Sequence, residues 1–306
     1  GPNRVQAGGV VEHDQRPAGG HRVHAALRRQ HLLHDRQQLG RLDRRRGDQL
    51  QPGQTWASND PYAGGSHLPD ITVIRPVYRG DSRVGFVACR GHHVDVGGST
   101  PGSMPPHSTH IDEEGFRLRA ILLADDGGFY RPPLPGCRQP DEVTADLTAQ
   151  TAACAEGESH VQQLIDEMGV AGYQAQSAHL LGTAARSVAR VLQHMNGQHE
   201  ATEVLDDGST IHVHLDIEGD RGVLTIHAPP HTGNLNAPPA VARAALLYVL
   251  RALVDEPMPL LNEGSMSPVR IETNPGGLFD PSEPAAVAGG NVESSQRLVD
   301  ALLRAV

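Results

Sequence analysis

The chain has 306 residues, with 26 Arg plus Lys against 36 Asp plus Glu and a formal net charge of −10, and all 26 bases are arginine. This acidic balance excludes a general phosphate-binding surface, so nucleic acid is not an expected partner, and the longest apolar run, Ala244–Leu250, is far too short to cross a bilayer, so neither is a membrane. Hydrophobic residues at 38%, aromatics at 3%, 34 Gly and 23 Pro describe a turn-rich globular protein with a lean aliphatic core.

Residues 1–50 stand apart. They carry 10 Arg against 5 acids, a net of 10 − 5 = +5, hold 5 of the 18 His, contain no aromatic residue and show no sustained strand or helix pattern. The composition reads as a segment with no fold of its own, with a basic arm for an acidic partner as the other reading. The chain starts without Met and stops at Val306 inside a helical pattern, which marks it as a piece of something longer; no secretory signal is expected. Cys89, Cys137 and Cys154 form no CxxC pair and read as free thiols of a reducing, cytoplasmic compartment.

Order begins at Gln51. Ile71–Ile74 and Val84–Val87 are short β-type runs bounded by Pro and Gly, residues 97–106 are a Gly/Ser/Pro loop, and Arg117–Leu123 reads as a further strand. Asp141 and Glu142 open a helix with Val161, Leu164, Ile165 and Met168 on its buried face. A second helix follows Gly172, with Leu181, Ala185, Val188, Leu192 and Met195 inward. An antiparallel meander comes next: Ile211, Val213, Leu215 and Ile217 alternate with His212, His214 and Asp216, and a turn at 218–222 leads to Leu224 and Ile226. His212 and His214 read as the solvated side of a half-buried sheet, with metal ligation the alternative. Helices over Pro239–Val254 and from Val292 complete the pattern, and their segregation from the strands predicts an α+β fold over residues 51–306.

The stretch with the most chemistry is Asn59-Asp-Pro-Tyr-Ala-Gly-Gly-Ser-His-Leu-Pro-Asp70, followed one strand later by Arg90-Gly-His-His-Val-Asp-Val-Gly-Gly98. A hairpin between them brings His67, Asp70 and His92 to the same end of adjacent strands. Two imidazoles and one carboxylate make a three-ligand site for a divalent ion such as Zn, Mn or Fe, suited to hydrolysis because the ion acidifies its water. His93 and Asp95 are the catalytic candidates beside it, as general base, orienter or fourth ligand. The competing reading makes the histidines ordinary loop hydrogen-bonders. Gly289-Gly290-Asn291 ahead of the last helix offers amides for a carboxylate or phosphate, with Asn291 as a cap, and Asn234 and Asn236 form a similar candidate; simple turns and caps are the alternatives. No Walker A, GxSxG or GxGxxG sequence is present, so no ATP site is assigned.

These two segments resemble signatures of the hydantoinase B/5-oxoprolinase family, as do Thr100-Pro-Gly-Ser-Met-Pro105, Glu113-Glu-Gly115, Gly233-Asn-Leu-Asn-Ala-Pro238, Leu261-Asn-Glu-Gly264 and Ala288-Gly-Gly-Asn-Val-Glu-Ser-Ser-Gln-Arg297, all in family order. The resemblance implies a B-type component of an ATP-dependent cyclic amidase, of the 5-oxoprolinase or N-methylhydantoinase kind. It implies an A-type partner subunit that binds ATP and phosphorylates the ring amide oxygen of a small cyclic amide, a hetero-oligomer, and His67, Asp70 and His92 as the metal ligands. A subunit of an acetone- or acetophenone-type carboxylase, or a non-catalytic remnant, are the other readings. Departures from the family pattern fall at residues 1–50, where out-of-frame translation would give such a composition, at Ala228-Pro-Pro-His231, and after Val306, where a Gly-rich, His-containing part is missing.

Overall fold

A computed structural model describes residues 49–255 and 262–306; the readings made for residues 1–48 and for Leu261 lie outside the described residues. The chain forms two compact units, one from described residues 49–105 and 114–174 and one from 106–113 with 175–306. Strands and helices are segregated as an α+β fold requires. Among the described residues no helix is long and apolar enough to cross a membrane.

The first unit is built on an antiparallel sheet of order β3-β2-β1-β4-β5, with β1 Thr55–Ser58, β2 Asp70–Arg79, β3 Ser82–His92, β4 Ile121–Asp125 and β5 Gly128–Phe129. The two β-branched runs of the sequence are the centres of β2 and β3, which pair from Asp70↔His92 to Arg79↔Ser82. The strand expected over Arg117–Leu123 begins only at Ile121. Ala120 has φ 54° and interrupts extended backbone, while the amide of Leu118 is committed to Asn59 Oδ1 at 2.6 Å.

Helix α1, Pro140–His194, is broken at Gly169, where φ 73° and ψ 161° are not helical. The two expected helices are therefore contiguous, and the break comes three residues before Gly172. Met168, expected inside, is 43% exposed because it abuts the break, while Val161 and Ile165 are buried. Ahead of the break α1 lies against the sheet: Cys154 Sγ donates to Val73 O at 3.5 Å, Gln162 Nε2 to Tyr78 O at 2.6 Å, and Arg75 Nε to Glu158 Oε2 at 2.5 Å. The opposite sheet face carries a small cluster of Leu50, Trp56 and Ile74.

The second unit holds a sheet of order β6-β7-β8-β9, from β6 Gly197–Val204, β7 Thr210–Glu218, β8 Arg221–His227 and β9 Val269–Thr273; β8 and β9 are parallel and the other pairs antiparallel. Helix α2, Pro239–Leu253, connects β8 towards β9, and α3, Ser295–Ala305, ends the chain. Ile211, Val213, Leu215 and Leu224 from the sheet join Leu246, Leu250, Leu298 and Leu302 from the helices in one buried cluster. Each such side chain contributes about 1.5–3 kcal/mol by leaving water. His212 and His214 alternate onto the other face, where His212 Nδ1 lies 3.0 Å from Thr202 Oγ1.

In the first unit, Asp95 ties the loop after β3 to the start of α1. Its Oδ2 accepts from the amides of Arg138 at 2.5 Å and Gln139 at 2.7 Å and from the Cys137 thiol at 3.2 Å, and its Oδ1 accepts from the Gly97 amide at 3.1 Å. Burial alone would raise this carboxyl, but the donors from Gln139, Cys137, Gly97 and Arg138 outweigh it and hold it below its ordinary value of 3.8. Burial and the same hydrogen bond push the Cys137 thiol up to about 11, so it stays protonated and donates. A carboxyl with a lowered folded-state pKa stabilises the fold above its unfolded value and loses that contribution as pH falls through the folded one. Asp95→Ala is expected to cost about 1–2 kcal/mol at neutral pH. In urea unfolding the gap to the unmodified chain should narrow as pH drops below the ordinary Asp range; a pH-independent gap would count against the assignment.

Candidate metal centre

The loop that delivers His67 is held before any ligand is considered. Asn59 is fully buried: its Nδ2 donates to Leu68 O at 2.8 Å and Phe116 O at 3.1 Å, while its Oδ1 accepts from Leu118. Asp60 Oδ1 accepts from the Tyr62 amide at 3.1 Å, starting a short 3-10 turn over Pro61–Ala63 that ends at Gly64 with φ 99°. The chain then turns so that the Asp70 amide donates to His67 O at 3.2 Å and β2 begins.

Register does the rest. Asp70 is the first residue of β2 and lies directly across from His92, the last of β3, and side chains at such positions share a sheet face. Asp70 Oδ1 is 2.9 Å from His92 Nδ1, and Asp70 Oδ2 is 3.7 Å from His67 Nδ1. The two imidazole centroids are 5.3 Å apart, and one ligand atom from each of His67, Asp70 and His92 lies within 4.8 Å of the others. His67 and Asp70 are buried whereas the His92 side chain is 53% exposed, so the cluster opens to solvent on the His92 side.

Electrostatics favour a charged Asp70. Burial would raise its carboxyl, but His67, the His92 hydrogen bond and Arg90 together hold it well below the usual carboxylate range. Arg90 is itself buried on the same face, with Nε donating to Thr72 Oγ1 at 2.9 Å. The Asp70 hydrogen bond in turn raises His92 above the usual imidazole value against the opposing effect of burial.

His93 and Asp95 are not in this cluster. His93 is buried, with Nε2 2.9 Å from Gln150 Oε1. Gln150 of α1 sends its Nε2 to Ile71 O at 3.1 Å and Cys89 O at 3.3 Å, so its Oε1 is the acceptor and His93 Nε2 carries the proton. A Cβ on Gly91 would point at Gln150, which places the α1 side of the sheet at Gly91 and the other side at His92. Burial pushes His93 down, towards a neutral ring. Asp95 is the fastener between loop and helix described above. Ser66, Arg90 and Gln150 were not singled out from sequence; Ser66 and Arg90 stand inside the quoted motifs, whereas a mid-helix Gln carries no signal of its own.

In the second unit the residues of the expected anion site make contacts with the chain itself. The amides of Gly289 and Gly290 both donate to Asn234 O, at 2.9 and 3.2 Å, so neither is offered to a ligand. Asn236 does not cap α2: its Nδ2 bridges His231 O at 3.0 Å, Gly233 O at 2.8 Å and Ala286 O at 3.0 Å. Asn291 lies within a π-turn, Gly290–Ser294, rather than at a cap. What the Gly pair provides is proximity, since a Cβ on Gly290 would sit 2.0 Å from Asn236 O. Gly290→Ala should therefore destabilise the chain by about 1–3 kcal/mol or more, and by more than Gly289→Ala, whose Cβ would meet a side chain at 3.1 Å. Thermal unfolding of the two variants checks the ranking.

Comparison with known proteins places the fold. The chain is 39% identical over 294 residues to 5-oxoprolinase 1 of Arabidopsis thaliana, covering 85% of this chain and 23% of that protein. The crystal structure of the ATP-dependent caprolactamase from Pseudomonas jessenii superposes with a TM-score of 0.83 at 27% identity, over 90% of this chain and 50% of that one; the beta subunit of that enzyme is 28% identical over 271 residues. A nucleotide-free acetone carboxylase shares the fold, with a TM-score of 0.80 at 15% identity over 90% of this chain and 40% of that one. The chain thus spans less than a quarter of the oxoprolinase and about half of the caprolactamase chain. The family description hydantoinase B/oxoprolinase matches residues 26–306, and the chain belongs to that family.

Proposed function

We propose that the chain is the B-type component of an ATP-dependent cyclic amidase that opens a small lactam of the 5-oxoproline or hydantoin kind. The observation that carries this reading is the convergence of His67, Asp70 and His92 at one end of the β2–β3 ladder. Two imidazoles with one carboxylate suit a borderline divalent ion, Zn²⁺, Mn²⁺ or Fe²⁺, and these three residues would hold it. Such an ion supplies Lewis-acid polarisation and a more acidic water.

The chain's own residues contribute the frame. Asn59 fixes the His67 loop, the ladder fixes Asp70 against His92, and His67, the His92 hydrogen bond and Arg90 together keep the carboxylate charged. The exposed edge of His92 is the side from which substrate would approach. Activation is assigned to an A-type partner subunit, which would transfer phosphate from ATP to the ring amide oxygen. Water then adds to the activated carbon, the ring C–N bond breaks with nitrogen leaving as the amine to give an acyl phosphate, and a second water cleaves that acyl phosphate to carboxylate and free phosphate. The absence of a Walker A sequence, and of any lysine, supports giving ATP to the partner. A relative that is named a beta subunit supports a heteromeric assembly. The free thiols Cys89, Cys137 and Cys154 support a reducing, cytoplasmic setting. The carboxylase reading has less support, since the likeness to acetone carboxylase at 15% identity concerns the fold.

Two experiments test this. Elemental analysis of the full chain should find a divalent metal that is lost in His67→Ala and His92→Ala, with metal affinity falling much further than stability, and that is retained in His212→Ala and His214→Ala. Full occupancy in the first two variants, or loss in the His212 variant, puts the site elsewhere. Calorimetry of the isolated chain with ATP should show no binding; tight binding would overturn the division of labour between subunits.

A further inference from the structure

We infer that Val94 is a specificity-determining residue, whose aliphatic side chain is the apolar wall for the ring methylenes of a small lactam at the open side of the cluster. The identity of that ligand rests on the lactam reading above. The antiparallel alignment of β2 and β3 does not stop at Asp70↔His92: one step on, the His93 amide donates to Pro69 O at 2.8 Å. This register sets residue 94 across from Leu68, the neighbour of His67. Burial keeps the two-residue period of a strand over the same stretch, with His92 and Val94 exposed and His93 and Asp95 buried. The Cα atoms of His92 and Val94 are then at most about 7 Å apart, within reach of a small ring seated at the cluster.

Val94 is kept outside because both of its neighbours are committed inside. His93 is held through its amide by Pro69 O and through its ring by Gln150 Oε1 at 2.9 Å. Asp95 accepts from the amides of Gly97, Arg138 and Gln139 and from the Cys137 thiol. The branched side chain between them has few rotamers left and stays 46% exposed, beside a His92 side chain that is 53% exposed. Val96, the other valine of the same motif, is fully buried. An isolated exposed valine is ordinary on a protein surface; Val94 differs in being clamped from both sides at the mouth of a three-ligand cluster. A small lactam has two unlike edges, the polar amide that the cluster addresses and a back of ring methylenes. Those methylenes gain by leaving water for an aliphatic wall, and a wall already fixed in place adds no ordering cost on binding.

The test uses the full chain, Zn²⁺-loaded and carrying ¹³C-methyl-labelled valine, titrated with 5-oxoproline and with hydantoin. The Val94 methyl signals are assigned from their disappearance in Val94→Ser. Expected is a shift of these signals with 5-oxoproline, whose ring carries two methylenes, and a smaller one with hydantoin, which carries one. Affinity for 5-oxoproline should fall by about 4–15-fold in Val94→Ser, the loss for one to two buried methylenes, and hydantoin should lose less. Val94→Ile should restore the affinity for 5-oxoproline. Binding that leaves the Val94 methyls unmoved, an unchanged 5-oxoproline affinity in Val94→Ser, or equal losses for the two probes would overturn the role of Val94 and leave the lactam reading standing. If Val94→Ser does not fold, the methyl shifts of the unmodified chain and the affinity of Val94→Ile decide. A chain that binds neither probe overturns the lactam reading and this inference together.

Discussion

The pairing of Asp70 with His92 across the β2–β3 ladder is the contact on which the site depends. Side chains alternate between faces along a strand, so a slip of one residue would carry Asp70 and His92 to opposite sides of the sheet. The ladder resists that slip because the same register places Thr72 beside Arg90 and Ile74 beside Ala88 on one face, while Ile71, Val73 and Cys89 are buried on the other. The apolar pattern of two strands therefore fixes the position of a polar pair at their end. His67 is added by a loop whose path is dictated by one carboxamide, that of Asn59.

A carboxylate as buried as Asp70 is costly unless it is compensated, several kcal/mol for an unpaired charge. Compensation is distributed here: Ser66 and the His67 ring on one oxygen, the His92 ring on the other, and the charge of Arg90 nearby. Because the carboxylate stands on β2 while its partners come from the loop and from β3, the charge also ties three pieces of chain together. A group of this kind is poorly explained by stability alone, since an apolar residue of similar size would avoid the desolvation cost.

Much of this was legible in the residues. Alternation located the meander, β-branched runs located β2 and β3, and the hairpin spacing brought His67, Asp70 and His92 to one strand end. What escaped was set by contacts that sequence does not display. The Arg117–Leu123 run has strand composition but its first half is pinned to Asn59. Met168 fits a helical stripe but sits at a break, and two nearby glycines, Gly169 and Gly172, are equal candidates for that break in the sequence, of which the backbone uses Gly169. Asn236 has the chemistry of a cap and equally that of a staple across three carbonyls, and only the approach of Ala286 decides between them. The amides at Gly289 and Gly290 are spoken for by a carbonyl fifty-odd residues earlier in the chain, a pairing no local pattern could announce.

β3 is the terminal strand of its sheet among the described residues, so His92 is anchored by a neighbour on one side only. Edge strands open locally at a free energy below that of global unfolding. The three side chains of the cluster therefore do not share one lifetime: His67 and Asp70 belong to the loop and to an interior strand, whereas His92 can leave with a fraying end. Gln150, reaching from α1 to Cys89 O and to the ring of His93, bonds on either side of that residue and acts as the latch on the fraying end. Amide exchange at residues 89–93 would then report the integrity of the cluster more closely than any measure of the hydrophobic core.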